Sequence, residues 1–131
     1  MSNTSNPMKQ HGAFSWNELM TSDIEGAKTF YSTLFNWQLE DMDNDMPYTL
    51  AKIDGTDSAG MMTMPPEAAG MPPMWGGYVT VDDVEASAKQ VVELGGKILL
   101  EPRDIPNVGR FCVINDPQGA TLSMITYFEQ S

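Results

Sequence analysis

Hydrophobic residues recur at helical spacing in two stretches of this chain that lie 60 positions apart. In the first, Ile24, Ala27, Tyr31 and Leu34 fall on one face; in the second, Val84, Ala88, Val91 and Leu94 do so. Each stretch opens on a residue able to cap a helix, Ser22 or Asp82, with a glutamate three positions later. Side-chain oxygens placed in that way can accept the first-turn N–H groups that a helix leaves unpaired. Asn36 and the Gly95-Gly96 pair close the two stretches, because those residues tolerate the left-handed backbone of a helix end.

Strand-like runs surround both helices. Residues 13–20 and 75–81 precede them; 38–42, 48–53 and 58–64 follow the first, and 97–101, 110–115 and 120–128 follow the second. Turn chemistry separates the runs at Asp54-Gly55, Pro106-Asn107-Val108-Gly109 and Asp116-Pro117-Gln118-Gly119. The predicted order is β-α-β-β-β, twice. This is an α+β fold of two tandem modules, residues 12–66 and 74–128, joined by a short connector rich in Pro, Gly and Met. Residues 1–11 read as a flexible tail ahead of a single domain over 12–128. One module leaves a sheet face uncovered, so two must pair, within the chain or between chains.

Composition narrows what such a fold can serve. The 131 residues suit one domain. Seven Lys and Arg against 18 Asp and Glu give a net charge of −11, which repels phosphate backbones and anionic membranes. Neither nucleic acid nor membrane is an expected partner. The single cysteine, Cys112, excludes an internal disulfide framework and a multi-cysteine zinc site. No run approaches the ~18 apolar residues of a membrane span, and the first residues lack the apolar stretch of a signal peptide. A cytoplasmic, acidic protein is the expectation. Met61, Met62, Met64, Met71 and Met74 crowd the end of module one and the connector, as an adaptable apolar wall would. The acidic run over residues 40–45 reads as a solvated hairpin edge, since it lacks the central glycine and distal glutamate of a calcium loop.

The duplicated βαβββ order carries a set of short motifs. They are Trp16-x-Glu18-Leu19, Phe30-Tyr31-x-x-Leu34-Phe35, Tyr78-x-x-Val81-Asp82-Asp83-Val84 and Asp116-Pro117-x-Gly119-Ala120. Together they resemble the vicinal oxygen chelate superfamily of glyoxalases, bleomycin-resistance proteins and extradiol dioxygenases. Within it they are most similar to the glyoxalase-like branch of the mycobacterial antigen type. The resemblance runs over residues 12–128 and implies a cupped, barrel-like mixed sheet with helices outside. It also implies a homodimer and, in metal-dependent members, one divalent ion held by His or Glu from the first and last strand of each module. Such an ion acts as a Lewis acid on adjacent substrate oxygens.

Here those positions fall on Trp16, Gly76, Ser123 and a residue within 58–64, a stretch without His, Asp, Glu or Cys. An indole, a glycine and a hydroxyl do not replace imidazole and carboxylate. The one histidine, His11, precedes the first strand. No metal and no cofactor is therefore expected. Glu18 alternates onto the same strand face as Trp16 and Met20, and Tyr78 is its repeat mate. A carboxylate held among such groups is a candidate general base, or the anchor of a cationic ligand; the structural alternative is that it accepts hydrogen bonds from Tyr78 or Arg110.

Trp16, Glu18, Met62, Trp75, Tyr78, Phe111 and Ser123 are the expected ligand-binding residues, and Glu18 the candidate catalytic one. Three functions follow from these residues. The first is a binding module that has lost the metal ligands and holds a small, largely apolar molecule, neutral or cationic, in the sheet cup. The second is a metal-independent lyase or isomerase using Glu18 as base. The third is a non-catalytic dimeric interaction protein. Binding is ranked ahead of catalysis.

Overall fold

In the computed structural model, residues 6–42, 48–66, 70–105 and 108–128 are described. The chain divides into two compact units, residues 16–76 and residues 1–15 with 77–131. The α+β class and the twofold βαβββ order are as the sequence predicts.

In the first unit, β1 (Phe14–Thr21) leads into α1 (Ile24–Phe35), followed by β2 (Gln38–Met42), β3 (Tyr48–Ile53) and β4 (Thr56–Thr63). The strand order is β2-β3-β4-β1, with β1 parallel to β4 and the hairpin neighbours antiparallel. The register aligns Leu19 with Met61 and Met61 with Thr49, and all three are buried on one face. Thr49 donates to Asp41 (2.8 Å), and Lys28 of α1 reaches the same carboxylate (3.0 Å), so this face carries the helix. The helix cap differs from the expected one. Asp23, not Ser22, accepts from Gly26 N–H (2.9 Å), while Asp23 N–H donates to Thr21 Oγ1. The chain leaves β1 one residue later than the spacing suggested, and the cap moves with it. Asn36 closes α1 in the left-handed region at φ 60°.

The second unit repeats the plan: β5 (Met74–Thr80), whose first three residues fall in the first unit, α2 (Val84–Glu93), β6 (Lys97–Ile105), β7 (Gly109–Asn115) and β8 (Thr121–Tyr127). The order is β5-β8-β7-β6, with β5 parallel to β8. Asp83 rather than Asp82 caps α2, accepting from Glu85 and Ala86 N–H. Glu85 does not reach back to the cap; its carboxylate holds Arg110 at 2.7 Å. Val84 and Ala88 pack on Val81, Cys112, Ile114 and Met124, which forms the core of this unit. The strand expected to end at Glu101 runs on to Ile105 through Pro102, because β6 is an edge strand whose register shifts leave the proline without a pairing duty.

Within the expected tail, Pro7–Lys9 form a 3-10 turn. Thr80 Oγ1 donates to Pro7 O (2.7 Å), Gly12 N–H to Thr80 O (2.7 Å) and Thr80 N–H to Ala13 O (2.8 Å). Residues 43–45 of the acidic run, 67–69 of the connector and the Pro106-Asn107 turn lie outside the described residues.

Candidate functional site

Two strand faces, one in each unit, hold the residues that the sequence singled out. On the first, the face of β1 turned away from α1 carries Trp16, Glu18 and Met20. Glu18 lies opposite Gly60 and Met20 opposite Met62 on β4. Glu18 is 3% exposed, and its carboxylate is not without a partner. Tyr48 of β3 was not foreseen. Its hydroxyl accepts from Trp16 Nε1 (2.8 Å), and its ring lies over Gly60, where a Cβ would overlap it. Gly60 was the available signal, because a glycine inside a strand often marks the close approach of another group.

On the second face, turned away from α2, Tyr78 pairs with Ser123 and Ser123 with Val113. Tyr78 and Phe111 are buried, their ring centroids 6.0 Å apart. Trp16, Glu18 and Met62 therefore share one face, and Tyr78, Phe111 and Ser123 share the other.

Trp75 is not brought to either. It alternates away from Tyr78 on β5, and its Nε1 donates to Tyr31 (3.0 Å). Its ring sits edge-on to Tyr31 and Trp37 in an aromatic cluster with Phe35. Arg110, one expected donor to Glu18, is instead held by Glu85 (2.7 Å) and Asp104 (2.9 Å), and those two carboxylates raise its pKa. Cys112 is fully buried on the α2 side, and burial, reinforced by Glu101 and Glu85, pushes its thiol up to about 11. His11 accepts from Asp82 N–H through Nδ1 (2.9 Å).

The registers also narrow the position that the resemblance left open within residues 58–64. Glu18 and Tyr78 are repeat mates, and their parallel partners are Gly60 and Ser123, so Gly60 is the counterpart of Ser123. The set is thus Trp16, Gly60, Gly76 and Ser123. None of the four residues offers an imidazole or a carboxylate. Two members have no side chain, the Trp16 indole offers an N–H donor already spent on Tyr48, and the Tyr48 ring covers Gly60. Among the described residues, no group of three or more His, Cys, Asp or Glu could hold a metal.

The family model for the glyoxalase/bleomycin resistance protein/dioxygenase superfamily matches residues 13–124. The chain belongs to that superfamily. A glyoxalase-superfamily relative in Mycobacterium tuberculosis, named "Putative glyoxylase CFP32", is 39% identical over 121 residues, which is 88% of this chain and 46% of that protein. The anthracycline biosynthesis protein DnrV of Streptomyces peucetius is 28% identical over 127 residues, 86% of this chain and 46% of that protein. The chain thus spans about half the length of these relatives. Among solved structures, methylmalonyl-CoA epimerase from Mycobacterium tuberculosis matches with a TM-score of 0.58 at 17% identity, covering 95% of this chain and 91% of that one. That likeness is one of fold. No helix among the described residues is long and apolar enough to cross a membrane.

Proposed function

We propose that this superfamily member binds a small, largely apolar molecule, neutral or cationic, on its strand faces without a metal ion. The observation that supports this reading is the Trp16–Tyr48 hydrogen bond beside Gly60, an aromatic pair at two of the positions where the resemblance implies ligands in metal-dependent relatives. Aromatic faces beside Met20, Met62 and a buried carboxylate suit an apolar body with at most one positive charge. The net charge of −11 favours the same sign.

Glu18 is the specific ground for a second reading, a metal-independent isomerase or lyase. A carboxylate only 3% exposed, on the strand face that carries Trp16, is placed as a general base would be. The name of the structural neighbour, an epimerase, belongs to the same class of proton-moving reactions. Homodimer formation is part of the proposal, and Phe30, Leu34 and Phe35, each more than half exposed, supply apolar surface for it.

Incubating the protein with a soluble metabolite extract, then reading bound masses by native mass spectrometry, tests the proposal. Binding gives a one-to-one adduct that survives chelator dialysis, keeps its mass with time and is lost in Glu18→Gln. Conversion of the bound molecule, read as a mass change for a lyase or as deuterium uptake from D2O for an isomerase, and abolished by Glu18→Gln, selects the enzyme reading. Loss of the adduct on chelation overturns the metal-free account.

A further inference from the structure

Beneath the Pro7–Lys9 turn lies a cavity of about 850 Å³, within the usual size range of small-molecule sites. It belongs wholly to the second unit, and none of the seven residues discussed above as ligand-binding lines it. Its apolar wall comes from Met8, Val81, Val108, Tyr127 and Phe128. Met8 and Phe128 are 42% and 41% exposed, so a flexible thioether and an aromatic ring stand open to solvent at its edge.

Most polar groups of that wall already have partners. Asn6 Oδ1 accepts from Met8 N–H, Thr80 Oγ1 donates to Pro7 O, and Thr126 Oγ1 donates to Val81 O. The Tyr127 hydroxyl shares a hydrogen bond with Ser15 (2.8 Å). Asp82 has its carboxylate 3.7 Å from the His11 ring that also holds its N–H, and the side chain is 82% exposed, directed to solvent. Lys9 differs. It lines the cavity and makes no ion pair among the described residues, whereas Lys28, Lys52 and Arg110 each hold two carboxylates. An apolar cavity edged by an ammonium that pairs with no carboxylate among the described residues matches a ligand with an apolar body and a single anionic head. The net charge of −11 argues against polyanions but leaves one short-range pair with Lys9 intact.

We infer that this cavity is a binding site for a small apolar monocarboxylate, its body between Met8, Val108 and Phe128 and its carboxylate on Lys9. The site stands apart from the strand-face reading, which concerns other residues and a ligand of the opposite charge.

Titration calorimetry with 2-naphthoate as the probe tests it, with 2-naphthylmethylammonium and 2-naphthylmethanol as isosteric cation and alcohol. The expected result is one-to-one binding of the acid, tighter than either control. Lys9→Gln weakens it about 2- to 5-fold, the range for one exposed ion pair. Phe128→Ala weakens it about 10-fold through lost apolar contact. Val108→Trp, which fills the cavity, removes binding while circular dichroism reports the native fold. Lys97→Gln, which removes a lysine elsewhere on the same unit, leaves affinity unchanged. Absence of binding, preference for the cation, or equal losses in Lys9→Gln and Lys97→Gln overturns the inference. If Val108→Trp does not fold, the Lys9 and Phe128 variants, both altered at exposed side chains, decide it alone.

Discussion

The ring of Tyr48 lies over the α-carbon of Gly60, so closely that any side chain at position 60 would overlap the phenol. The contact fixes the aromatic pair Trp16–Tyr48 on the face that also carries Glu18. Overfilling a packed site typically costs about 1–3 kcal/mol, and Gly60→Ala is expected to destabilise the protein by that amount in urea unfolding. The same substitution made in a Tyr48→Ala background should cost far less, because the obstructing ring is gone. Equal costs in the two backgrounds would mean that the ring does not occupy that space.

Much of this was legible beforehand, and the reasons differ from element to element. The two helices announced themselves through period and ends, and Asn36 stops α1 in the left-handed conformation its side chain tolerates. The caps slipped by one residue because both Ser22-Asp23 and Asp82-Asp83 present two acceptors in succession, and only the backbone path out of the strand chooses between them. Strand alternation puts Trp16 and Glu18 on one face of β1, whereas only the pairing of β5 with β8 brings Tyr78 beside Ser123. The same alternation separates Trp75 from Tyr78, and the hydrogen bond to Tyr31 holds it in the aromatic cluster instead. Nothing local marks Tyr48; only pairing of β3 with β4 carries its ring over Gly60. The cavity under Pro7–Lys9 depends on hydrogen bonds between residues more than 70 positions apart, beyond any local pattern.

Cys112 is expected to be chemically silent in the folded protein. Its thiol is fully buried and pushed up to about 11, so thiolate is scarce near neutrality. Ellman's reagent at about pH 8 should react only as fast as the protein unfolds, and at the rate of an ordinary thiol in denaturant. Rapid native-state labelling would contradict the burial of β7 against α2.

Acid stability should depend measurably on Asp41. The Thr49 hydroxyl first, and the Lys28 ammonium second, hold its pKa below the usual 3.8. A carboxylate depressed in the folded state contributes stability that is present above 3.8 and lost as pH falls through the lower folded value. Asp41→Asn and Thr49→Val should therefore each flatten the fall of Tm below that pH. Lys28 carries the opposite sign. Its pKa is raised above 10.5, chiefly by Asp41, so its contribution is present below 10.5 and fades as pH rises through the higher folded value. A Tm profile equally steep in wild type and Asp41→Asn would refute the pairing.

The aromatic cluster around Tyr31 predicts a structural role for Trp75. Trp75→Phe removes the hydrogen bond to Tyr31 and should lower stability by about 0.5–1.5 kcal/mol in chemical denaturation. Tyr31→Phe should do the same, and the double variant should cost less than the sum. Additive losses would place the two side chains apart.

The proposal that the site works without a metal rests on Trp16, Gly60, Gly76 and Ser123 at the superfamily's ligand positions, and quantitative elemental analysis tests it most directly. Protein purified without chelator and measured for Mn, Fe, Ni and Zn should carry less than about 0.1 equivalent of each, since none of those four residues supplies an imidazole or carboxylate ligand. Close to one equivalent of any of these metals, retained through gel filtration, would contradict it.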